Sequence, residues 1–182
     1  MFQRKTLLST ALVATFGFLA LATAPAQAAS TGTINFSGQV LADSCSIEVN
    51  GGNTVVLPLV TTTDFGSTVG STAGTTSPFT IALTGCDTGA TTAQMNFSGT
   101  QVDTTSGNLL NSAASGSNVE VQLLDASNNV INTSTQANAP SISIDHTTGN
   151  GSTQLKARYI STNTSTTAGL VQSSVGFTLT YL

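Results

Sequence analysis

Apolar residues recur at every second position through short runs of this chain, and turn-forming residues separate the runs. Short aliphatic runs at 54–59, 79–84, 93–98, 119–124, 141–144, 154–161 and 174–181 are candidate strands. A period of two places alternate side chains on opposite faces of a sheet. Between the runs lie Asn50-Gly51-Gly52-Asn53, Gly85-Cys86-Asp87-Thr88-Gly89, Asp125-Ala126-Ser127-Asn128-Asn129 and Thr147-Thr148-Gly149-Asn150-Gly151. These are the residue types that turns require. No long stretch repeats with helical periodicity. A short helix is expected around 109–114, and the Thr/Ser-rich stretch 67–77 reads as an exposed loop. The pattern as a whole predicts an all-β sandwich.

Two alternating runs stand at the extremes. Residues 32–40 put Ile34, Phe36, Gly38 and Val40 on one face. The last run puts Val175, Phe177, Leu179 and Tyr181 on one face and ends at Leu182. A first strand with little ahead of it and a last strand with nothing after it give an expectation: a neighbouring molecule completes the sheet. On the pattern alone, 32–40 reads equally well as an ordinary first strand paired within its own chain.

The segment before it has a different character. Arg4 and Lys5 precede an apolar run from Leu7 to Ala24, and Ala26-Gln27-Ala28 supplies small residues of the kind a signal peptidase cleaves after. Residues 1–28 therefore read as a secretory signal rather than a retained membrane anchor. Cleavage after Ala28 leaves 154 residues, the size of one domain. It also leaves two cations, Lys156 and Arg158, against eight carboxylates, a net charge of −6. Two cations make no patch for phosphates, so nucleic acid is excluded as a partner. Anionic membrane surfaces are disfavoured for the same reason, and no lipid anchor is expected. Only 7% of residues are charged; Ser, Thr, Gly and Asn occupy the places where charges usually sit. Such a surface suits packing against like copies better than life as a free monomer.

Candidate chemistry is sparse. An exported chain meets an oxidising compartment, so Cys45 and Cys86, its two cysteines, are expected to form one structural disulfide. Their spacing is far from Cys-x-x-Cys, and with the lone His146 they make no zinc site. Asp145 adjoins His146, but strand neighbours point to opposite faces and cannot orient one another. No serine sits in a Gly-x-Ser-x-Gly elbow. The acids Asp43, Glu48, Asp64, Asp87, Asp103, Glu120, Asp125 and Asp145 are scattered, with neither a calcium loop nor a carboxylate pair among them. No enzymatic activity and no cofactor are expected. Lys156 and Arg158 are expected to pair with nearby acids on a strand.

Several features together give the chain a family resemblance. Gly38 lies seven residues before Cys45, Cys86 is followed by Asp87, and Lys156-Ala157-Arg158-Tyr159 comes late in the sequence. Gly169 is fourteenth from the C-terminus and Tyr181 is penultimate. In order and spacing these resemble the type 1 fimbrial major subunits, pilins of the chaperone–usher pathway. The resemblance implies an incomplete immunoglobulin-like sandwich lacking its C-terminal strand, completed by donor-strand exchange. It divides the chain into a signal peptide at 1–28, a donor extension at 29–42 and a pilin domain at 43–182.

Within that scheme Ile34, Phe36 and Val40 would insert into the groove of another subunit, with Gly38 at the point of closest backbone approach. Gly169, Val175, Phe177, Leu179 and Tyr181 would form the strand that a chaperone recognises. The implied partners are like pilin subunits, a periplasmic chaperone and an outer-membrane usher, with export through the periplasm to a cell-surface fimbria that supports adhesion. Two other readings are a minor or adaptor subunit and a secreted monomeric β-sandwich that binds a sugar or a protein. The second is thinly supplied, since the chain has no Trp and only Tyr159 and Tyr181 as tyrosines.

Overall fold

The computed structural model describes Asn35, residues 45–50 and residues 52–182. The expected signal, 1–28, and the donor residues Ile34, Phe36, Gly38 and Val40 lie outside the described residues. Every described strand belongs to the unit Gln39–Leu182.

Seven antiparallel strands carry the fold: β1 (Ser46–Val49), β2 (Thr72–Thr84), β3 (Thr92–Ser98), β4 (Val119–Asp125), β5 (Ser141–Asp145), β6 (Asn150–Ser161) and β7 (Gly176–Tyr181). One continuous sheet runs β1-β2-β6-β5-β3-β7, with β4 also paired to β6. The sheet curls because β5 belongs to both halves: Ile144 and Asp145 pair with Gly151 and Asn150 of β6, while 141–143 pair with β3. The two halves face each other across one core. Ile81, Leu83, Leu123 and Leu155 come from one half, and Ala93, Met95, Phe97, Ile142 and Ile144 from the other, all at most 5% exposed. These are the inward positions of the alternation in sequence, and their burial drives the fold.

β4 is buried along nearly its whole length, because segments on either side of it in sequence fold over its outer face. There Asn108 Nδ2 and Ser106 Oγ each donate to Oε2 of the buried Glu120 at 3.0 Å. Gln122 Nε2 donates to Asn108 Oδ1 at 3.1 Å, and Arg158 donates to Gln122 Oε1 through Nε and Nη2. A buried carboxylate is tolerated when its oxygens are hydrogen-bonded in this way. Arg158 thus serves an amide rather than an acid. Lys156 likewise donates to Ala126 O and Asn128 Oδ1, at 2.9 and 2.7 Å.

Three local expectations are corrected. Residues 54–59 form no strand; β1 is instead the four residues before the turn. Asn50 and Asn53, both at positive φ, carry the chain away from β2, and Pro58 has no N–H to offer a ladder. The stretch 67–77 is not all loop, because β2 begins at Thr72 and buries Ala73. A bulge between Ala73 and Ser77 shifts the register there. It contains Gly74 at φ 74°, where a Cβ would lie 2.8 Å from Val60 Cγ1. No helix forms at 109–114: Leu109 exchanges backbone hydrogen bonds with Val121 at 2.8 and 2.9 Å. Six residues cannot sustain a helix without packing, and here the packing favours a bridge. The one helical element among the described residues is a short 3-10 turn, Thr62–Phe65.

Four aspartates fasten loops by accepting hydrogen bonds. Asp64 binds Thr61 N–H, Asp103 Thr105 N–H, Asp125 the Asn129 side chain, and Asp145 the N–H groups of Thr148 and Thr147. These bonds favour the ionised form and lower all four pKa values. A folded-state pKa below the unfolded one gives stability that is complete above the ordinary carboxylate range, near about 4, and is lost as pH falls through it. Burial raises the pKa of Tyr159, so stability also falls once pH climbs past about 10, where the unfolded tyrosine ionises first. A flat melting temperature between about pH 5 and 9, declining on both sides, is expected by calorimetry. A melting temperature that rose on acidification below about pH 4 would contradict this assignment.

Candidate functional site

β1 and β7 are the two ends of the sheet order, and the described residues do not pair them. Between them lies a groove of about 820 Å³. Val49 and residues 53–57 make one lip, and residues 171–177 make the other. Phe79, Ile81, Leu123, Leu155 and Ala157 form the floor. Among the described residues, no charged side chain lines it.

The β7 lip has a regular polarity. Thr92 and Leu182 exchange N–H···O bonds at 3.2 and 2.9 Å, which fixes them as a hydrogen-bonded pair. Alternation along an antiparallel ladder then turns the backbone groups of Gly176, Thr178 and Thr180 toward β3. It turns those of Phe177, Leu179 and Tyr181 away from β3, toward the groove. The partners on β3 agree: Met95 N–H bonds Pro140 O on the far side, and Phe97 N–H bonds Gln136 Oε1.

The same parity runs on above β7, where none of the described strands stands beside the chain. Leu170 O accepts from Ser117 N, Gln172 O from Ser112 N, and Gln172 N donates to Asn111 Oδ1. Ser174 N donates to Gln101 Oε1. Even-numbered residues thus bond outward from 170 to 182. The odd ones, Val171, Ser173, Val175, Phe177, Leu179 and Tyr181, are each half-buried on the groove side. None of the hydrogen bonds among the described residues engages their N–H or C=O. An edge of this kind is a template for another strand.

Of the residues singled out in the sequence, Val175 and Phe177 line the groove, and Leu179 and Tyr181 continue the same edge. Phe177 also rests against Phe97, with ring centroids 6.5 Å apart. Gly169 sits just before the wall, where the backbone of 116–117 passes so near that a Cβ would lie 2.5 Å from Ser117 N. Cys45 and Cys86 form a disulfide across 41 positions of sequence. The bond ties the residue before β1 to the segment after β2. His146 is exposed, with Nδ1 3.0 Å from Thr88 O. Sequence reading passed over Gln101, Asn111 and Asn118, whose amides hold the upper wall. They occur in polar stretches without alternation, and nothing local distinguishes them from their neighbours.

Known proteins share this architecture. The family model described as fimbrial protein matches residues 34–182. The F17 fimbrial protein of Escherichia coli is 38% identical over 174 residues, covering 91% of this chain and 95% of that protein. The major fimbrial subunit SMF-1 of Stenotrophomonas maltophilia is 37% identical over 170 residues, covering 88% of this chain and 99% of that one. Among solved structures, the P pilus rod subunit PapA aligns with a TM-score of 0.58 at 16% identity, over 76% of this chain and 99% of that one. The type I fimbria protein BPSL1626 of Burkholderia pseudomallei aligns with a TM-score of 0.54 at 25% identity, over 76% of this chain and all of that one.

Proposed function

This chain belongs to the fimbrial protein family, and from that premise we propose that it assembles by lending its N-terminal segment to the groove of a second copy. The family consists of structural subunits of surface fimbriae rather than catalysts, and the chain is such a subunit. Its relatives, a fimbrial protein and a major fimbrial subunit, favour neither an adaptor nor a free-standing binding module.

One observation carries the donor-exchange reading: the edge at 171–181, which the described residues leave unpaired, beside a groove they line with aliphatic and uncharged side chains. Residues 31–41, Thr-Gly-Thr-Ile-Asn-Phe-Ser-Gly-Gln-Val-Leu, are likewise uncharged and likewise eleven long. Eleven residues at about 3.3 Å each span about 36 Å on either side of the joint. The donor would add backbone hydrogen bonds to the odd residues of β7 and its extension, and Ile34, Phe36 and Val40 would cover the floor. Gly38 would let the two backbones approach where a side chain would stand between them. Strand and groove belong to different parts of the chain, so the contact is head-to-tail and propagates without closing.

An edge so open requires cover before assembly. A periplasmic chaperone that adds its own strand, recognising Gly169, Val175, Phe177, Leu179 and Tyr181, meets that need. An outer-membrane usher would then exchange it for the donor. Residues 1–28 would direct export and then be removed, leaving 29–42 as the extension of a pilin domain at 43–182.

The test is refolding of the disulfide-intact mature chain with an excess of synthetic peptide 31–41. A one-to-one complex with a raised melting temperature is expected, against a scrambled peptide that does not bind. Equal behaviour of the two peptides would refute donor exchange.

A further inference from the structure

The upper half of the groove wall has no strand partner among the described residues; the backbone N–H groups of Ser112 and Ser117 hold it together with three side-chain amides. Asn118 donates through Nδ2 to Ser165 O at 2.8 Å and accepts from Thr167 N at 2.7 Å. Asn111 donates through Nδ2 to Leu170 O at 2.9 Å and accepts from Gln172 N at 2.9 Å. Gln101 Oε1 accepts from Ser174 N and, at 3.2 Å, from Ser173 Oγ. A carboxamide presents one acceptor and two donors in the geometry of a peptide group. Three of them spaced along 165–174, with those two backbone N–H groups, therefore do for this segment what β3 does for β7.

Their carriers are themselves fixed. Leu110 N donates to Gln101 O at 2.7 Å, Leu109 is paired with Val121, and the neighbouring Asn108 is tied to the buried Glu120. Asn111 Nδ2 also reaches Ser117 O at 2.8 Å, which closes its own loop.

We propose that Gln101, Asn111 and Asn118 are positioning residues for donor uptake, holding the wall at 171–175 in strand geometry before any donor arrives. This rests on the donor-exchange reading. Its physical basis is that a wall already ordered spares the incoming strand the entropy of ordering it. Lower down, at 177–181, β3 does this work and the amides are not needed. The full-length groove is therefore open to a long donor at once, rather than only its lower half.

The experiment measures peptide 31–41 binding to the refolded mature chain, with amide hydrogen exchange on the free chain. Gln101→Ala and Asn111→Ala should each weaken binding about tenfold, since backbone bonds are unmade and several residues must be ordered on binding. In the same variants exchange at Gln172 and Ser174 should quicken while 92–97 stays protected. Every bond Gln101 makes here uses Oε1 as acceptor, so Gln101→Glu should bind within about twofold of the parent. Asn129→Ala, which removes a side-chain bond to Asp125 Oδ2 outside the groove, should also bind within about twofold of the parent. Parent-like affinity in Gln101→Ala and Asn111→Ala would overturn the proposal. So would loss of protection throughout β3, which would mark a merely structural role. A parent chain that took up no peptide would instead defeat donor exchange itself.

Discussion

If donor exchange operates as proposed, a subunit without residues 31–41 is expected to fold and keep its disulfide, yet be absent from the fibre. The buried residues described for the core all lie downstream of the deletion, at 45–157. Under the proposed donor exchange, what the deletion removes is the joint. Ile34, Phe36 and Val40 at about 1.5–3 kcal/mol each amount to roughly 5–9 kcal/mol of apolar burial per junction. Backbone hydrogen bonds to the free edge at 171–181 add about 1 kcal/mol net apiece, offset in part by the ordering of the strand. Loss of that contribution should bring incorporation down to background. Expression of the deleted form beside the parent, with fibres sheared from cells and run unheated in SDS, gives a direct reading. A normal ladder from the deleted form would mean that assembly uses some other contact.

Replacing Cys45 and Cys86 together by serine is expected to cost about 4 kcal/mol, on the loop-entropy relation for a 41-residue separation. Small domains hold about 5–15 kcal/mol in all, and one with an open groove has less apolar burial to draw on than a closed sandwich. The bond also has a local task. β1 pairs with β2 over four residues only, and the disulfide fastens its first end to the segment after β2. Without it, one lip of the groove is held by a short edge strand alone. Denaturant unfolding of the serine double variant bound to peptide 31–41 should show a lower midpoint and a slope at least as steep as the parent's, since the unlinked denatured chain exposes more surface, and secreted yield should collapse. An unchanged midpoint would mean the bond is dispensable to the fold.

Much of this architecture is legible in the sequence, and the rest is hidden for identifiable reasons. Strands β3 to β7 follow alternating apolar runs, since residues such as Met95, Phe97, Ile142, Ile144, Leu155 and Ala157 have to face one core. β1 escapes notice because Ser46-Ile47-Glu48-Val49 is four residues long with one lip of sheet to join. The better-looking run at 54–59 loses its partner to the turn at 50–53. There Val55 and Leu57 line the groove, while Leu59 is fully exposed. The start of β2 reads as loop because Ala73 is its one buried anchor before the bulge. The open edge is readable from Phe177, Leu179 and Tyr181. The amides that hold its upper part are not, because a carboxamide's role depends on which backbone tertiary folding brings beside it.

The uncharged lining of the groove bears on the finished filament. The titrating aspartates that fasten the loops are all outside it, and peptide 31–41 brings no ionisable side chain of its own. Coupling between copies would then consist of hydrocarbon contact and amide pairing, neither of which responds to protons or to counterions. A filament built this way holds its tensile link alike in acid, in brine and in fresh water, even where exposed loops have begun to loosen.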